Sequence, residues 1–84
     1  MKFYKIINSL GYVLSNQYEE SARAVLGYGG VWCKDHRHAK RFKNLKECQK
    51  EINKMPYPDG TKFLIVSNNE DWKRIYKRRK EELL

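Results

Sequence analysis

The hydrophobic and polar positions of the chain follow two different periods, and the alternation between these periods predicts a mixture of strands and helices. The β-favouring run Lys2–Asn8 predicts a strand. Asn8–Gly11 has the composition of a turn, and Gly11–Ser15 predicts a second short strand. These three segments together predict an N-terminal β-hairpin.

The pattern then changes to helical spacing. Asn16–Leu26 has apolar residues at intervals of three and four, which predicts a helix capped by Asn16 and ended by Gly27. The run of Gly27–Gly30, GYGG, predicts a flexible loop. Val31 and Trp32 indicate the strand that follows it.

A polar loop and a short strand are predicted next. Lys34–His38 has no apolar periodicity and predicts a loop, whereas Ala39–Lys43 predicts a short strand that points Phe42 inward. Asn44 and Glu47 then have the spacing of a capping box, which predicts the start of a helix. Its apolar stripe consists of Leu45, Cys48, Ile52 and Met55.

The C-terminal third predicts a turn, a strand and a final helix. Pro56 and Pro58 end the preceding helix, and Asp59-Gly60 forms a turn. The unbroken apolar run within Thr61–Ser67 predicts a central strand that is covered on both faces. The final helix is predicted over Glu70–Leu83. Asn68 or Asn69 is its expected cap, and its apolar face is Trp72, Ile75, Tyr76 and Leu83.

This order of elements predicts a small α+β fold. We expect residues 1–84 to form a single domain, with a short, mostly antiparallel sheet and about three helices, of which the last is basic and amphipathic. Hydrophobic residues make up 40% of the chain, which is sufficient for a folded core and argues against global disorder. The number of subunits is left open, and a dimer is compatible with so small a core.

Composition also restricts the location of the protein. No apolar run approaches the roughly 18 residues that a membrane span needs. The first residues lack the apolar core and cleavage site of a signal peptide. Two cysteines are too few for a secreted disulfide framework. We therefore expect a cytoplasmic protein with reduced thiols and no membrane partner.

The net charge of +8 favours an anionic partner. The basic residues concentrate in two clusters with few acids between them: Lys34, Arg37, Lys40, Arg41 and Lys43 in the first, and Lys73, Arg74, Lys77, Arg78, Arg79 and Lys80 in the second. A solvated surface is the simpler interpretation of such clusters. Exposed aromatic residues beside them would favour nucleic acid, because bases stack on aromatic rings. Nucleic acid is the leading candidate partner; an acidic protein or a nucleotide stays open.

Two clusters of chemically active residues have a simpler structural explanation. Cys33, His36, His38 and Cys48 are ligand types that zinc prefers, but their spacing is not that of a common zinc finger. Cys48 already belongs to the apolar stripe of a helix, so we interpret the cysteines as structural and expect no metal or other cofactor. Asp35 beside His36 lacks a third catalytic partner, and the GYGG loop lacks a following lysine and serine.

The N-terminal segment FYKIINSLGYVL resembles the opening hairpin of GIY-YIG nucleases. Tyr4 and Tyr12 occupy the positions of the motif tyrosines, and Arg23 lies downstream. Lys2 and Leu14 replace motif glycines, and the two motifs are closer together than in that family. The resemblance covers about a quarter of the chain and implies a divergent small nuclease as an alternative function.

The pattern A-x-x-F-x-N-L-x-E-C resembles small accessory proteins encoded by phages and prophages. The residues that carry this resemblance are Ala39, Phe42, Asn44, Leu45, Glu47 and Cys48. It implies a host-directed binding protein, which could inhibit a host protein or sequester a nucleotide signal. From the residues themselves, we expect a non-enzymatic basic module that binds an anionic partner.

Overall fold

A computed structural model of the chain describes residues 1–15, 25–27, 30–54 and 61–83. Within these ranges the fold is α+β, as predicted, and is built on a five-stranded antiparallel sheet. The strands lie in the order β3-β4-β2-β1-β5. Their bounds are Tyr4–Ile7 (β1), Val13–Ser15 (β2), Val25–Gly27 (β3), Gly30–Cys33 (β4) and Leu64–Ser67 (β5).

Two α-helices accompany the sheet in the described ranges, Leu45–Lys54 (α1) and Trp72–Arg79 (α2). Short 3₁₀ turns are present at His36–His38 and at Lys80–Leu83, where the second turn continues α2. The expectation of about three helices is therefore not matched in number among the described residues. None of these helices combines the length and apolar character that a membrane-spanning helix needs.

The predicted N-terminal hairpin is confirmed, and Asn8 organises its turn. The side-chain oxygen of Asn8 accepts hydrogen bonds from the backbone N–H groups of Leu10 and Tyr12, each at 3.0 Å. Gly11 has a φ of 80°, a left-handed conformation that is costly for residues with a Cβ. Ile7 of β1 pairs with Val13 of β2 directly after this turn.

Successive residues of a strand point to opposite faces of the sheet, and here both faces are covered. On one face, Ile7, Val13, Cys33, Leu64 and Val66 form a core with Leu83, against which the apolar side of α2 packs. The other face carries a second core that includes Cys48 of α1; its sheet and loop members are Ile6, Leu14, Trp32 and Phe42. The sheet is thus a middle layer between α1 and α2.

Ala39–Lys43 does not form the predicted strand. Ala39 and Phe42 instead form isolated bridges, with Ser15 and Tyr4 respectively. The segment thereby contacts both strands of the N-terminal hairpin at its open end. Phe42 is buried, as predicted, and the bridges hold it over the core beneath α1.

Two other predictions are wrong. Val25 and Leu26, which we expected at the end of a helix, form strand β3 and pair with β4. Gly27, which we expected to end that helix, and Gly30, which we expected in the GYGG loop, pair with each other as parts of β3 and β4. The remainder of the predicted helix, residues 16–24, lies outside the described residues, as do residues 28–29 of the predicted GYGG loop and Met55, Pro56, Pro58, Asp59 and Gly60.

Strand β5 is covered on both faces, as predicted, but it lies at the edge of the sheet and not at its centre. Among the described strands it pairs with β1 alone, from Tyr4 opposite Ser67 to Ile7 opposite Leu64. The run is apolar because a helix covers each face of the strand. Such a run does not indicate whether a strand has one neighbouring strand or two. At the C-terminal end of β5, the backbone groups of Ser67 are paired locally with Glu70. The N–H of Ser67 donates to the Glu70 carboxylate at 2.9 Å, and the N–H of Glu70 donates to the Ser67 carbonyl oxygen at 3.2 Å.

Both helices begin with side-chain caps. The Asn44 side chain accepts from the N–H of Glu47 at 2.9 Å, as the capping box predicts, but the Glu47 carboxylate accepts from Lys43 and not from Asn44. The α2 cap is Asp71, whose carboxylate accepts from the N–H of Arg74, and not Asn68 or Asn69 as predicted. Asn68 instead holds the N-terminal segment: its side chain accepts from the N–H of Phe3 and donates to the carbonyl of Met1.

Candidate functional site

Helix α2 presents a continuous basic surface because its apolar side is fixed against the sheet. Trp72, Ile75 and Tyr76 pack on the core, and Leu83 of the following 3₁₀ turn is buried in it. The hydroxyl of Tyr76 also donates a hydrogen bond of 2.7 Å to the carbonyl oxygen of Ser9, which fixes the rotation of the helix. The side chains on the opposite side of α2 must therefore face solvent.

The members of the predicted C-terminal basic cluster are all exposed: Lys73, Arg74, Lys77, Arg78, Arg79 and Lys80. At about 100° per residue, the first four lie on that outward side of α2, whereas Arg79 lies on the side of Ile75 and Tyr76. Arg79 forms an ion pair of 3.0 Å with Glu82. Within the described part of the chain, no acidic side chain forms an ion pair with Lys73, Arg74, Lys77 or Arg78. We refer to these four residues as the α2 row.

The first basic cluster does not form a single surface, since two of its members are already paired. Arg37 is bound to Asp35 through its Nε and Nη2 atoms, and the shortest contact is 2.7 Å. These hydrogen bonds hold the pKa of Asp35 well below its usual range. Lys40 forms an ion pair of 3.0 Å with Glu51 of α1. Arg37 and Lys40 are therefore weaker candidates for an external anion than the sequence indicates.

The other three members of this cluster, Lys34, Arg41 and Lys43, are exposed. Lys34 lies over the ring of Tyr12, and the guanidinium of Arg41 lies 4.6 Å from the ring centroid of Phe3. Arg41 also lines a shallow cleft between residues 40–42 and α1. The structure thus brings Arg41 together with α1 and not with the α2 row.

Sequence reasoning missed the basic residues of α1 itself. Lys46, Lys50 and Lys54 are exposed, and their spacing of four residues places them on one side of the helix. Lys50 and Lys54 line the same cleft as Arg41. The four-residue interval between these lysines is present in the sequence. It did not suggest a basic surface because Glu47 and Glu51 alternate with the lysines.

The aromatic residues are not arranged as expected for base stacking. Every described tryptophan, tyrosine and phenylalanine is buried or partly buried, and several rings already carry a cation of the chain itself. Such pairs include Lys2 on Tyr4, Lys40 on Phe42, Lys5 on Trp72 and Lys73 on Trp72. In the described ranges, the basic surface therefore offers charge and not exposed aromatic faces.

A second feature that the sequence did not reveal lies beneath α2. Lys5 is buried on the sheet, its Nζ is 5.5 Å from the ring centroid of Trp72, and burial lowers its pKa. The imidazole of His36 stacks on the same indole. Lys5 looked like an ordinary strand residue in the sequence, because nothing local indicates which face of β1 a helix will cover.

The geometry separates the four residues considered as zinc ligands. Cys33 and Cys48 are both fully buried, but they belong to the cores on opposite faces of the sheet. His36 Nε2 is bonded to the Gly11 carbonyl oxygen at 2.8 Å. In residues 1–15, 25–27, 30–54 and 61–83, no group of three or more histidines, cysteines or carboxylates is placed to hold a metal ion.

The residues considered for catalysis have structural partners. Asp35 is engaged by Arg37, and the tyrosines of the GIY-YIG resemblance, Tyr4 and Tyr12, pack against the core beneath α1. Arg23 lies outside the described residues. Comparisons with protein-family models, with curated proteins and with solved structures gave no match.

Proposed function

We propose that the chain is a non-enzymatic nucleic-acid-binding module whose principal contact surface is the α2 row. The observation that supports this proposal is the exposure of four cations along α2 with no ion pair to a described acidic side chain. Like charges four residues apart, such as Lys73 with Lys77, destabilise a helix by a few tenths of a kcal/mol. A polyanionic partner would reverse this cost.

The dimensions of the row suit a phosphate backbone. At 1.5 Å per residue, Lys73 and Arg78 are separated by about 7.5 Å along the helix axis, and their long side chains extend this reach. Duplex DNA carries one charge per about 1.7 Å of its axis, so several phosphates lie within range. An acidic protein surface would offer a less regular array of charges.

The covered aromatic rings favour phosphate contacts over base contacts. Because the described rings are packed or already carry a cation, we expect binding with little sequence preference and no advantage for single strands. Affinity is expected to fall with salt at a slope of about −0.9 per phosphate neutralised.

Fluorescence anisotropy titrations of short duplexes and single strands, at low and at physiological salt, test the proposal. Replacing the α2 row by glutamine is expected to weaken binding to all sequences and to flatten the salt slope by up to about 3.6 units. The thermal unfolding temperature should change little, because the four side chains are exposed. If folded wild-type protein binds no nucleic acid even at low salt, the proposal is wrong and a protein or nucleotide partner becomes the leading candidate.

The neighbours Arg78 and Arg79 provide a matched control. Both are exposed arginines at the end of α2, but only Arg79 forms an ion pair with a described residue, Glu82. Arg78→Gln should therefore weaken binding more than Arg79→Gln, although both remove one charge. Incubation of plasmid DNA with the protein and Mg²⁺ tests the non-enzymatic part of the proposal, and cleavage that tracks with the purified protein would contradict it.

A further inference from the structure

Helix α1 carries a second basic row that the proposed function does not use. Lys46, Lys50 and Lys54 recur every four residues and are exposed along the whole length of the helix. Arg41 extends the row laterally across a shallow cleft, which Lys50 and Lys54 line together with Glu47 and Glu51. We refer to Arg41, Lys46, Lys50 and Lys54 as the α1 row.

The acidic residues beside the α1 row are engaged within the chain. Glu51 forms an ion pair of 3.0 Å with Lys40, and the Glu47 carboxylate accepts a hydrogen bond from the N–H of Lys43 at 3.1 Å. Within the described ranges, no ion pair joins either carboxylate to Lys46, Lys50 or Lys54. The charges of the α1 row are therefore available to an external anion.

The α1 and α2 rows face in opposite directions. The buried side of α1 packs on the sheet face that carries Ile6 and Leu14, whereas α2 packs on the face that carries Ile7 and Val13. Because the sheet lies between the helices, the exposed side of each helix points away from the other. The whole molecule measures only 29 × 26 × 24 Å, so the two rows lie on opposite surfaces of a body slightly wider than a DNA duplex.

A single duplex cannot readily contact both surfaces. Its persistence length of about 150 bp resists the reversal of direction that would carry one segment around so small a body. Two separate segments, one on each surface, meet no such resistance. The mutual repulsion of the two segments is reduced by the net charge of +8 that lies between them.

We infer that the chain bridges two nucleic-acid segments, one on the α2 row and one on the α1 row; this inference rests on the proposed function. The α2 row has four exposed cations and no acid within Trp72–Arg79, whereas the α1 row alternates with acids. The α2 row therefore binds the first segment. The α1 row captures the second segment with lower affinity, so this second step requires lower salt.

A capture experiment tests this inference. One duplex is attached to beads, and the protein-dependent retention of a second, fluorescent duplex of unrelated sequence is measured. Two triple variants remove the same charge from the two surfaces: Lys46→Gln, Lys50→Gln and Lys54→Gln on α1, and Lys73→Gln, Lys77→Gln and Arg78→Gln on α2. Each variant is expected to retain measurable binding of one duplex by anisotropy but to lose capture of the second by about tenfold or more.

The outcomes separate this inference from the proposed function. If the wild-type protein binds one duplex but captures no second, bridging is overturned and the proposed function stands. If it binds no duplex at all, both fail. A dimer could bridge with two copies of the α2 row; the α1 triple variant would then capture the second duplex as well as the wild type, which would also overturn the inference. Light scattering at the assay concentration identifies that case.

Discussion

The imidazole of His36 lies flat on the indole of Trp72, with ring centroids 3.6 Å apart and an angle of 14° between the planes. One ring nitrogen, Nε2, donates to the carbonyl oxygen of Gly11 at 2.8 Å, because a carbonyl can only accept. The other, Nδ1, is buried and has no hydrogen-bond partner among the described residues. The buried, unpaired Nδ1 therefore favours a neutral imidazole, and the stack joins the segment after β4 to the start of α2.

The stability of the protein is expected to fall as the pH decreases below about 6.5. Burial is the largest cause that lowers the pKa of His36 from its usual 6.5; Lys5 and Lys73 act in the same direction, against the Gly11 hydrogen bond and Asp35. The unfolded chain thus binds a proton at a higher pH than the folded chain does. The contribution of His36 is complete above pH 6.5 and is lost as the pH falls through its lower folded-state pKa.

Urea unfolding between pH 8 and pH 5 measures this effect. His36→Gln should flatten the pH dependence in this window, whereas the control His38→Gln should preserve it. His38 is the matched control because it is the other histidine of the chain and its side chain is partly exposed. Equal slopes for the wild type and His36→Gln would show that the stacked imidazole is not the titrating group.

The two thiols are expected to be unreactive in the native protein. Cys33 and Cys48 have no exposed surface, and burial raises the pKa of Cys48 to about 11, with a further contribution from Glu47. Thiolate is the reactive species, so a thiol-directed reagent should label both cysteines only after denaturation. Mass spectrometry of native and denatured samples measures the labelling. Rapid labelling of native protein at an unchanged unfolding temperature would contradict the burial of these residues.

Replacement of Gly11 by alanine should destabilise the fold by about 1–2 kcal/mol, because its φ of 80° is unfavourable for a residue with a Cβ. The added Cβ would also lie 3.3 Å from the Tyr76 ring, which is held by its hydrogen bond to Ser9. Gly11→Ala and Tyr76→Phe should both lower the free energy of unfolding in urea. Ser9→Ala provides the control, since only the backbone carbonyl of Ser9 takes part in that bond.

The orientation of α1 predicts a graded response to alanine substitution. Phe42→Ala should lower the free energy of unfolding by about 3–5 kcal/mol. Ile52→Ala should lower it by less than about 2 kcal/mol, the smallest loss typical of a fully buried isoleucine, because Ile52 is only partly buried. Leu45→Ala should change stability by no more than about 0.5 kcal/mol, because 56% of Leu45 is exposed. A loss at Leu45 as large as that at Phe42 would contradict the helix orientation.

Local patterns predicted those parts of the fold that depend on neighbours in the sequence. The N-terminal hairpin, the Asn44 cap and the apolar side of α2 all follow from spacing within a few residues. Val25 and Leu26 have helical spacing, yet they form a strand because pairing with β4 outweighs a local preference. The edge position of β5 was unpredictable for the same reason, since strand order is decided by contacts between distant segments.

The candidate site was predictable in composition but not in arrangement. The α2 row followed from helical spacing and the lack of intervening acids. The pairing of Lys40 with Glu51 and the burial of Lys5 beneath Trp72 depend on how α1 and α2 pack on the sheet, and no local signal encodes that packing. The first basic cluster is therefore one group in the sequence and several separate groups in space.

The contact between Glu70 and Ser67 has a consequence for self-association. An edge strand ordinarily offers unpaired N–H and carbonyl groups on which another chain can add a strand and begin aggregation. At the C-terminal end of β5 these two groups of Ser67 are already occupied by Glu70, and the exposed Lys62 precedes the strand at its other end. An incoming strand would have to displace a carboxylate and approach a lysine, so this edge resists templated growth even at high protein concentration.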